Sequence, residues 1–228
     1  MMRKQKRSLL LPLIGLLASV SLQCSRLDWD WDWREDEENN NAIQPPEEVM
    51  NIVGVKEGMV IGQFGAGRGR YTLHLAQRVG ATGCIYANDI DESSLEFLRE
   101  RCEQAGLKNV QTIIGTYDDP LFPRGSLDMA FSTLVYHEIG NPVVFLKNLI
   151  PALKPGAPIV IIDYNPKKNT EESNVGRDWK KEFADAGLEI VKMEPLHERD
   201  VIVILKKQKG NRKIHSTYKG RGQHDQKA

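Results

Sequence analysis

Cysteine, excess charge and long apolar runs are all scarce in this chain. It has 3 cysteines in 228 residues and no Cys-x-x-Cys pair, which excludes a dense disulfide framework and the common zinc motifs. Lys and Arg number 31 and Asp and Glu also number 31, so no overall basic surface for nucleic acid is expected. No apolar run reaches the roughly 20 residues of a membrane-spanning helix. We therefore predict no metal site and no specific nucleic-acid partner.

The N-terminal residues 1–23 combine a basic start with an apolar stretch over residues 9–22. This pattern is typical of a secretory signal peptide. Cys24 stands where a lipoprotein carries its lipidated cysteine, although Gln23 occupies a position where a small residue is usual. The pattern predicts export or membrane association, with lipidation of Cys24 as one form of it. The alternative is an uncleaved, amphiphilic N-terminus on a cytoplasmic protein.

Two segments of opposite charge flank the central part of the chain. Residues 24–48 hold nine acidic residues against two arginines and repeat Asp-Trp three times over residues 28–33. We interpret them as a solvated, disordered linker whose tryptophans would anchor at a membrane interface, dock a partner or have no role. Residues 207–228 hold seven basic residues against one acidic residue and are interpreted as a basic, disordered tail.

The central residues 49–206 alternate between short apolar runs and helical periodicity. Strands are predicted at 59–64, 84–87, 110–114, 127–133, 159–162, 190–193 and 201–205, with helices at 70–79, 92–105, 143–153 and 177–186. The alternation predicts an α/β fold, a doubly wound and mostly parallel seven-stranded sheet with helices on both faces. Only residues 194–200 separate the last two strands, too few for a parallel crossover, so an antiparallel last strand is expected. Ligands of such sheets bind at the carboxyl ends of the strands.

Two features at these strand ends point to a nucleotide-like ligand. Residues 65–69 read Gly-Ala-Gly-Arg-Gly, and glycines allow a tight turn and close approach of the backbone to a ligand. Arg70 stands where a dinucleotide fingerprint needs its third glycine, which disfavours NAD. Asp89 follows the second strand, where a carboxylate can accept hydrogen bonds from both ribose hydroxyls. Capping of the next helix is the alternative, although Asp91 is better placed for it.

Together these features resemble the class I, seven-stranded, Rossmann-like S-adenosylmethionine-dependent methyltransferases. The matching stretches are residues 60–76, 83–98, 109–139 and 152–164. The resemblance implies S-adenosylmethionine as the cofactor. The residues that it implies as cofactor-binding are Gln63, Gly65, Gly67 and Gly69 at the methionine part, Asp89 at the ribose, and Ile90, Thr116 and Asp118 at the adenine.

The resemblance also has two departures. Gln63 stands where the family usually has an acid that favours the cofactor's ammonium group. Thr116 stands where an acid often follows the third strand. Both changes remove a negative charge from the predicted cofactor site.

The reaction itself would depend on residues after the fourth strand. By resemblance, the segment of Tyr136, His137 and Glu138 faces the transferred methyl group. Tyr136 and His137 are the predicted catalytic residues, and His137 would act as a general base if the acceptor must lose a proton. The alternative for His137 is a hydrogen bond to the backbone at a helix start. No motif identifies the acceptor, and the short insertions favour a small molecule. The predicted function is methyl transfer to a small acceptor; the alternative is an envelope-anchored, non-catalytic binding module on a degenerate methyltransferase fold.

Overall fold

The computed structural model describes residues 33–166 and 176–208. Its α-helices are α1 (Trp33–Ile43), α2 (Pro46–Val53), α3 (Arg70–Val79), α4 (Glu92–Gln104), α5 (Pro142–Leu149) and α6 (Trp179–Asp185). Its strands are β1 (Val60–Phe64), β2 (Cys84–Asp89), β3 (Val110–Ile114), β4 (Met129–Thr133), β5 (Ile159–Tyr164), β6 (Leu188–Leu196) and β7 (Asp200–Lys207). Every strand and helix that was predicted between residues 59 and 206 is present.

The seven strands form one sheet in the order β3-β2-β1-β4-β5-β7-β6. Strands β1 to β5 are parallel to one another, whereas β7 is antiparallel to both β5 and β6. The predicted fold class and the antiparallel last strand are confirmed. The strand order reverses at β1, so β2 and β4 lie on either side of it and their carboxyl ends meet at one edge. A ligand site is expected at this point of the sheet.

Helices cover both faces of the sheet, which explains why the central strands are apolar throughout. In β5, Val160 and Ile162 pack into the same core as α2, α3 and α4, and Ile159 and Ile161 pack with α5 and α6. All four side chains are fully buried. Each such side chain contributes roughly 1.5–3 kcal/mol by leaving water. The two cores therefore hold the strand ends in place from both sides.

Local chemistry sets several helix ends. Asp91 caps α4, because its carboxylate accepts hydrogen bonds from the N–H groups of Ser93 and Ser94. The prediction that Asp91 is the cap is therefore confirmed. Helix α5 ends at Leu149 and continues only as a short 3-10 turn over residues 150–152, although a helix to residue 153 was predicted. Pro151 lies in this turn and has no N–H to extend an α-helix.

The interpretation of residues 24–48 as a disordered linker is wrong for residues 33–48, which contain helix α1 and the start of α2. Pro45 and Pro46 lie at the start of α2. Proline is favourable there because the first residues of a helix have no intrahelical partner for their N–H groups, so the missing N–H costs nothing. Helix α1 is polar around most of its surface, so its sequence carries no apolar stripe. It is held by side chains from elsewhere in the chain.

Three arginines, called here the arginine brace, bind this N-terminal helical segment. Arg101 donates to both carboxylate oxygens of Glu37 at 3.0 Å. Arg70 donates to Asn41 at 3.1 Å, and Arg199 donates to Asn40 at 2.9 Å. Charge-assisted hydrogen bonds of this kind are stronger than neutral ones, and they compensate for the missing apolar face.

The two ends of the chain are only partly described. Residues 1–32, which include the predicted signal-like segment and Cys24, and residues 209–228 of the predicted tail lie outside the described residues. Lys207 belongs to β7, and the N–H of Gln208 donates to the carbonyl of Gly187, so the start of the predicted tail extends the sheet. None of the helices within residues 33–166 and 176–208 is long and apolar enough to cross a membrane.

Candidate functional site

The turn after β1 uses its glycines for a backbone shape that other residues adopt with difficulty. Gly65, Gly67 and Gly69 have φ values of 65°, 52° and 91°. A Cβ on Gly65 would lie 2.2 Å from Val135 Cγ2, and one on Gly69 would lie 2.3 Å from Leu98 Cδ1. Gly67 differs, because a Cβ there would meet nothing within 4 Å. Gly65 and Gly69 therefore allow close packing, while Gly67 lies beside open space.

Asp89, the last residue of β2, faces this turn. Its carboxylate accepts hydrogen bonds from the N–H of Gly67 at 2.7 Å, Ile90 at 2.8 Å and Asp91 at 3.1 Å. Asp89 does not cap α4. The carboxylate instead joins the glycine turn to the end of β2, in the position predicted for a ribose-binding acid.

Two cavities meet at this point. The α1 cavity, of about 450 Å³, lies between helix α1 and the glycine turn. The β3 cavity, of about 210 Å³, lies beside the residues that follow β2 and β3. Gly65, Asp89, Val135 and Glu138 line both cavities. The two cavities are therefore adjacent across the end of the glycine turn, an arrangement that suits one elongated ligand.

Most of the predicted cofactor residues lie around this pair of cavities. Gln63 and Gly67 line the α1 cavity, and Ile90 and Thr116 line the β3 cavity. Gly69 lines neither; it precedes α3 and lets this helix pack against Leu98.

Asp118 also lines neither cavity. Its carboxylate Oδ1 is buried and has no hydrogen-bond partner among the described residues, while its backbone carbonyl accepts from Asn148. Asp118 directly follows Tyr117, which lines the β3 cavity. Its contact with adenine stays a prediction.

The structure places Tyr136 away from the site, so its assignment as a catalytic residue is not supported. Its side chain is fully buried, and its hydroxyl donates to Glu182 Oε2 at 2.8 Å. Burial, reinforced by the neighbouring Glu182 carboxylate, raises the pKa of Tyr136 well above its usual value. The ring packs with Trp179 and Phe183 in the core. Tyr136 therefore anchors this turn and faces away from both cavities.

His137 is held in a similar way. Its Nδ1 lies 2.7 Å from Asp163 Oδ1, and its backbone N–H donates to Asp163 Oδ2 at 3.1 Å. Its ring packs at 4.9 Å from that of Tyr164, and it lines neither cavity. The ring contacts the Asp163 carboxylate, whereas the alternative expected a hydrogen bond to the backbone; a general-base role for His137 stays a prediction. Glu138, the next residue, is the one that reaches both cavities.

Sequence reasoning missed the wall of the α1 cavity that helix α1 provides. Trp33, Asp36, Glu37 and Asn40 of this helix line the cavity opposite the glycine turn. Their acidic and amide-rich context is typical of a solvated segment, and no spacing in it indicates a ligand site. Arg70 lines the same cavity, although in the sequence its position only breaks a dinucleotide fingerprint.

The two glycines beside the cavities provide a matched test. Gly65→Ala and Gly67→Ala both place an alanine at positive φ, at a cost of about 1–2 kcal/mol. Only Gly65→Ala also forces a Cβ against Val135, which adds about 1–3 kcal/mol of overpacking. We expect urea unfolding to show the larger loss of stability for Gly65→Ala, and Val135→Ala to recover part of it. Equal losses in the two single variants would contradict the packing described here.

Comparisons with known proteins agree with this geometry. A family profile described as a methyltransferase domain matches residues 55–215. The demethylmenaquinone methyltransferase of Listeria welshimeri is 26% identical over 137 residues, 60% of this chain and 55% of that protein. That of Staphylococcus aureus is 30% identical over 115 residues, 50% of this chain and 47% of that protein. The chain thus spans about half the length of the curated relatives it matches.

The fold is shared with a solved structure as well. The crystal structure of a SAM dependent methyltransferase from Aquifex aeolicus has a TM-score of 0.65 and 28% sequence identity to this chain. The match covers 70% of this chain and 88% of the Aquifex chain. With a family profile that spans well over half of its residues, this chain belongs to the methyltransferase domain family.

Proposed function

We propose that this chain is an S-adenosylmethionine-dependent methyltransferase that acts on a small acceptor. The observation that carries the proposal is the junction of the two cavities at Asp89 and Gly65. On one side lies the glycine turn, and on the other lies the β3 cavity, whose lining includes the apolar and aromatic side chains of Ile90, Tyr117 and Phe145, which suit a flat base. A nucleoside with a polar extension matches this arrangement in shape.

The residues fit this cofactor chemically. The Asp89 carboxylate is the acceptor that two ribose hydroxyls need, and Gly67 presents backbone beside open space. When bound, the cofactor supplies a methyl group on a positively charged sulfonium. The chain supplies orientation: the glycine turn and Asp89 hold the nucleoside, and helix α1 closes the cavity in which an acceptor would be positioned.

The size and polarity of the α1 cavity support a small, polar-headed acceptor. About 450 Å³ must take both the methionine end of the cofactor and the reacting part of the acceptor. The cavity wall includes Asn40, Arg68 and Thr133, which offer hydrogen bonds to hydroxyl or carbonyl groups. Two relatives are named demethylmenaquinone methyltransferases. A quinol head group is therefore the first acceptor to test.

The test uses the full chain in two assays. Calorimetry measures the binding of S-adenosylhomocysteine, and transfer of a labelled methyl group is then measured with a panel of small hydroxylated aromatics that includes a soluble naphthoquinol. We expect saturable binding and transfer to at least one panel member. A folded protein that binds neither S-adenosylmethionine nor S-adenosylhomocysteine would contradict the proposal and favour the non-catalytic module. The matches to proteins named methyltransferases favour the enzyme.

A separate proposal concerns the N-terminus. We propose that residues 1–23 export the chain or attach it to a membrane, with Cys24 as a lipidation site, because a basic start precedes an apolar stretch there. Cell fractionation combined with mass spectrometry of the mature N-terminus tests this. A full-length chain confined to the cytosolic fraction would support the cytoplasmic alternative.

A further inference from the structure

Gln63 leaves the methionine end of the proposed cofactor site without a negative charge at the usual position. The side chain is almost fully buried, and its Oε1 accepts a hydrogen bond from Thr72 at 2.8 Å. It lines the α1 cavity as a neutral amide. The amino-acid end of S-adenosylmethionine carries both an ammonium and a carboxylate, so an ammonium placed here needs its counter-charge from elsewhere.

Four carboxylates line the α1 cavity, and three of them are engaged. Asp89 is the residue proposed to hold the ribose, and Glu37 is paired with Arg101. Glu138 Oε1 lies 3.7 Å from His137 Nε2, and Glu138 also lines the β3 cavity, so it lies where the two cavities meet rather than at the far end of the α1 cavity.

Asp36 differs from these three carboxylates. It accepts a hydrogen bond from the neutral amide of Asn40 at 3.0 Å and forms no ion pair within residues 33–166 and 176–208. Asp36 is thus the carboxylate with charge available to a ligand.

Arg70 supplies the opposite charge in the same cavity. Its guanidinium donates to Asn41 at 3.1 Å, to Gln44 at 2.7 Å and to Thr133 at 3.2 Å, all of them neutral oxygens. These contacts use three of its five N–H groups. Burial lowers the pKa of Arg70 from its usual value, and no described carboxylate lies within ion-pair distance of it. A buried cation of this kind gains most from an anionic partner.

We propose that Asp36 and Arg70 form the subsite for the amino-acid end of the cofactor, with Asp36 holding the ammonium and Arg70 the carboxylate. This inference rests on the proposed function. It makes helix α1 part of the cofactor site rather than only its cover. It also explains how Gln63 is compatible with binding, because the missing charge is supplied by a residue 27 positions earlier in the chain.

Two ligands that differ only at the subsite test the inference in the full chain. S-adenosylhomocysteine carries the amino-acid end, whereas 5′-methylthioadenosine keeps the nucleoside and the thioether without it. We expect Asp36→Asn to weaken S-adenosylhomocysteine binding roughly ten- to hundredfold, the effect of losing a hydrogen bond between charged groups, and to leave 5′-methylthioadenosine binding unchanged. Arg70→Gln should show the same selectivity.

A rescue variant and a matched control complete the experiment. Gln63→Asp in the Asp36→Asn background returns an acid to the cavity and is expected to restore most of the lost affinity. Glu38→Gln removes an exposed acid from the same helix and should change the affinity for neither ligand. If Asp36→Asn weakens both ligands equally, or neither, the inference is wrong while the proposed function stands. If the unaltered chain binds neither ligand, both are wrong.

Discussion

Asp89→Ala is expected to weaken S-adenosylhomocysteine binding by about a hundredfold or more. The carboxylate sits at the junction of the two cavities, where it would accept hydrogen bonds from two ribose hydroxyls. Hydrogen bonds to a charged group contribute about 1.5–3 kcal/mol each, so losing two of them exceeds the 2.7 kcal/mol that corresponds to about a hundredfold. The substitution also removes the bond from Gly67 N–H that orders the turn. Titration calorimetry with purified variants measures the effect directly.

Asp91→Ala is the matched control, since it removes the same side chain two residues further on. Asp91 is exposed and caps α4, so its loss should lower the urea midpoint of unfolding slightly and leave cofactor affinity unchanged. Equal affinity losses for the two variants would mean that Asp89 acts through the fold alone. Unchanged binding in Asp89→Ala would remove the central support for the proposed function.

Asp200→Ala is expected to destabilise the protein by about 1–3 kcal/mol, the usual cost of leaving a buried hydrogen-bond donor without its partner, since the Arg199 side chain is partly exposed and stays solvated. Asp200 is fully buried and accepts from Arg199 Nε at 2.8 Å and Nη2 at 2.9 Å. It also accepts from Gln44 Nε2 at 2.7 Å, and Gln44 in turn accepts from Arg70. Without Asp200, the Nε2 group of Gln44 loses its acceptor, and the positions of Arg199 and Arg70 in the arginine brace are held less firmly. Urea unfolding of the full chain measures the change.

The exposed pair of Asp185 and Lys181 provides the comparison for Asp200. Asp185→Ala breaks an ion pair on the surface of α6 and should cost less than about 1 kcal/mol. Because Asp200 supports the contacts of α1 and α2, its variant should also bind S-adenosylhomocysteine more weakly. If the two variants unfold at the same urea concentration, the docking of the N-terminal helices described here is wrong.

The central fold could be predicted from local patterns. Strands β1 and β5 have apolar residues on both faces because helices cover both faces of the sheet, so the composition of each strand already indicates a central position. The antiparallel last strand followed from the short gap between β6 and β7. The glycine turn and Asp89 were identifiable because turn geometry and strand-end position depend on few neighbouring residues.

The roles of Tyr136 and His137 depend on the directions of their side chains, and no local sequence pattern predicts those directions. Both follow β4 as predicted, but each side chain is directed by a distant partner, Glu182 for Tyr136 and Asp163 for His137. Position along the chain identified the right segment. Side-chain contacts across the sheet decided that Glu138 of this segment lines the cavities.

The sequence by itself determined the sheet, the glycine turn and the acid beside it. The apolar composition of a central strand and the glycines of a tight turn can both be recognised in a short stretch of sequence. Only the tertiary structure decided that the acidic segment before the sheet folds as α1 and closes the site. The reason is physical: α1 has no apolar stripe, and its stability comes from arginines such as Arg199, which meets Asn40 across 159 residues of chain. Contacts between residues so far apart in the chain produce no periodic pattern in the sequence of the helix that they stabilise.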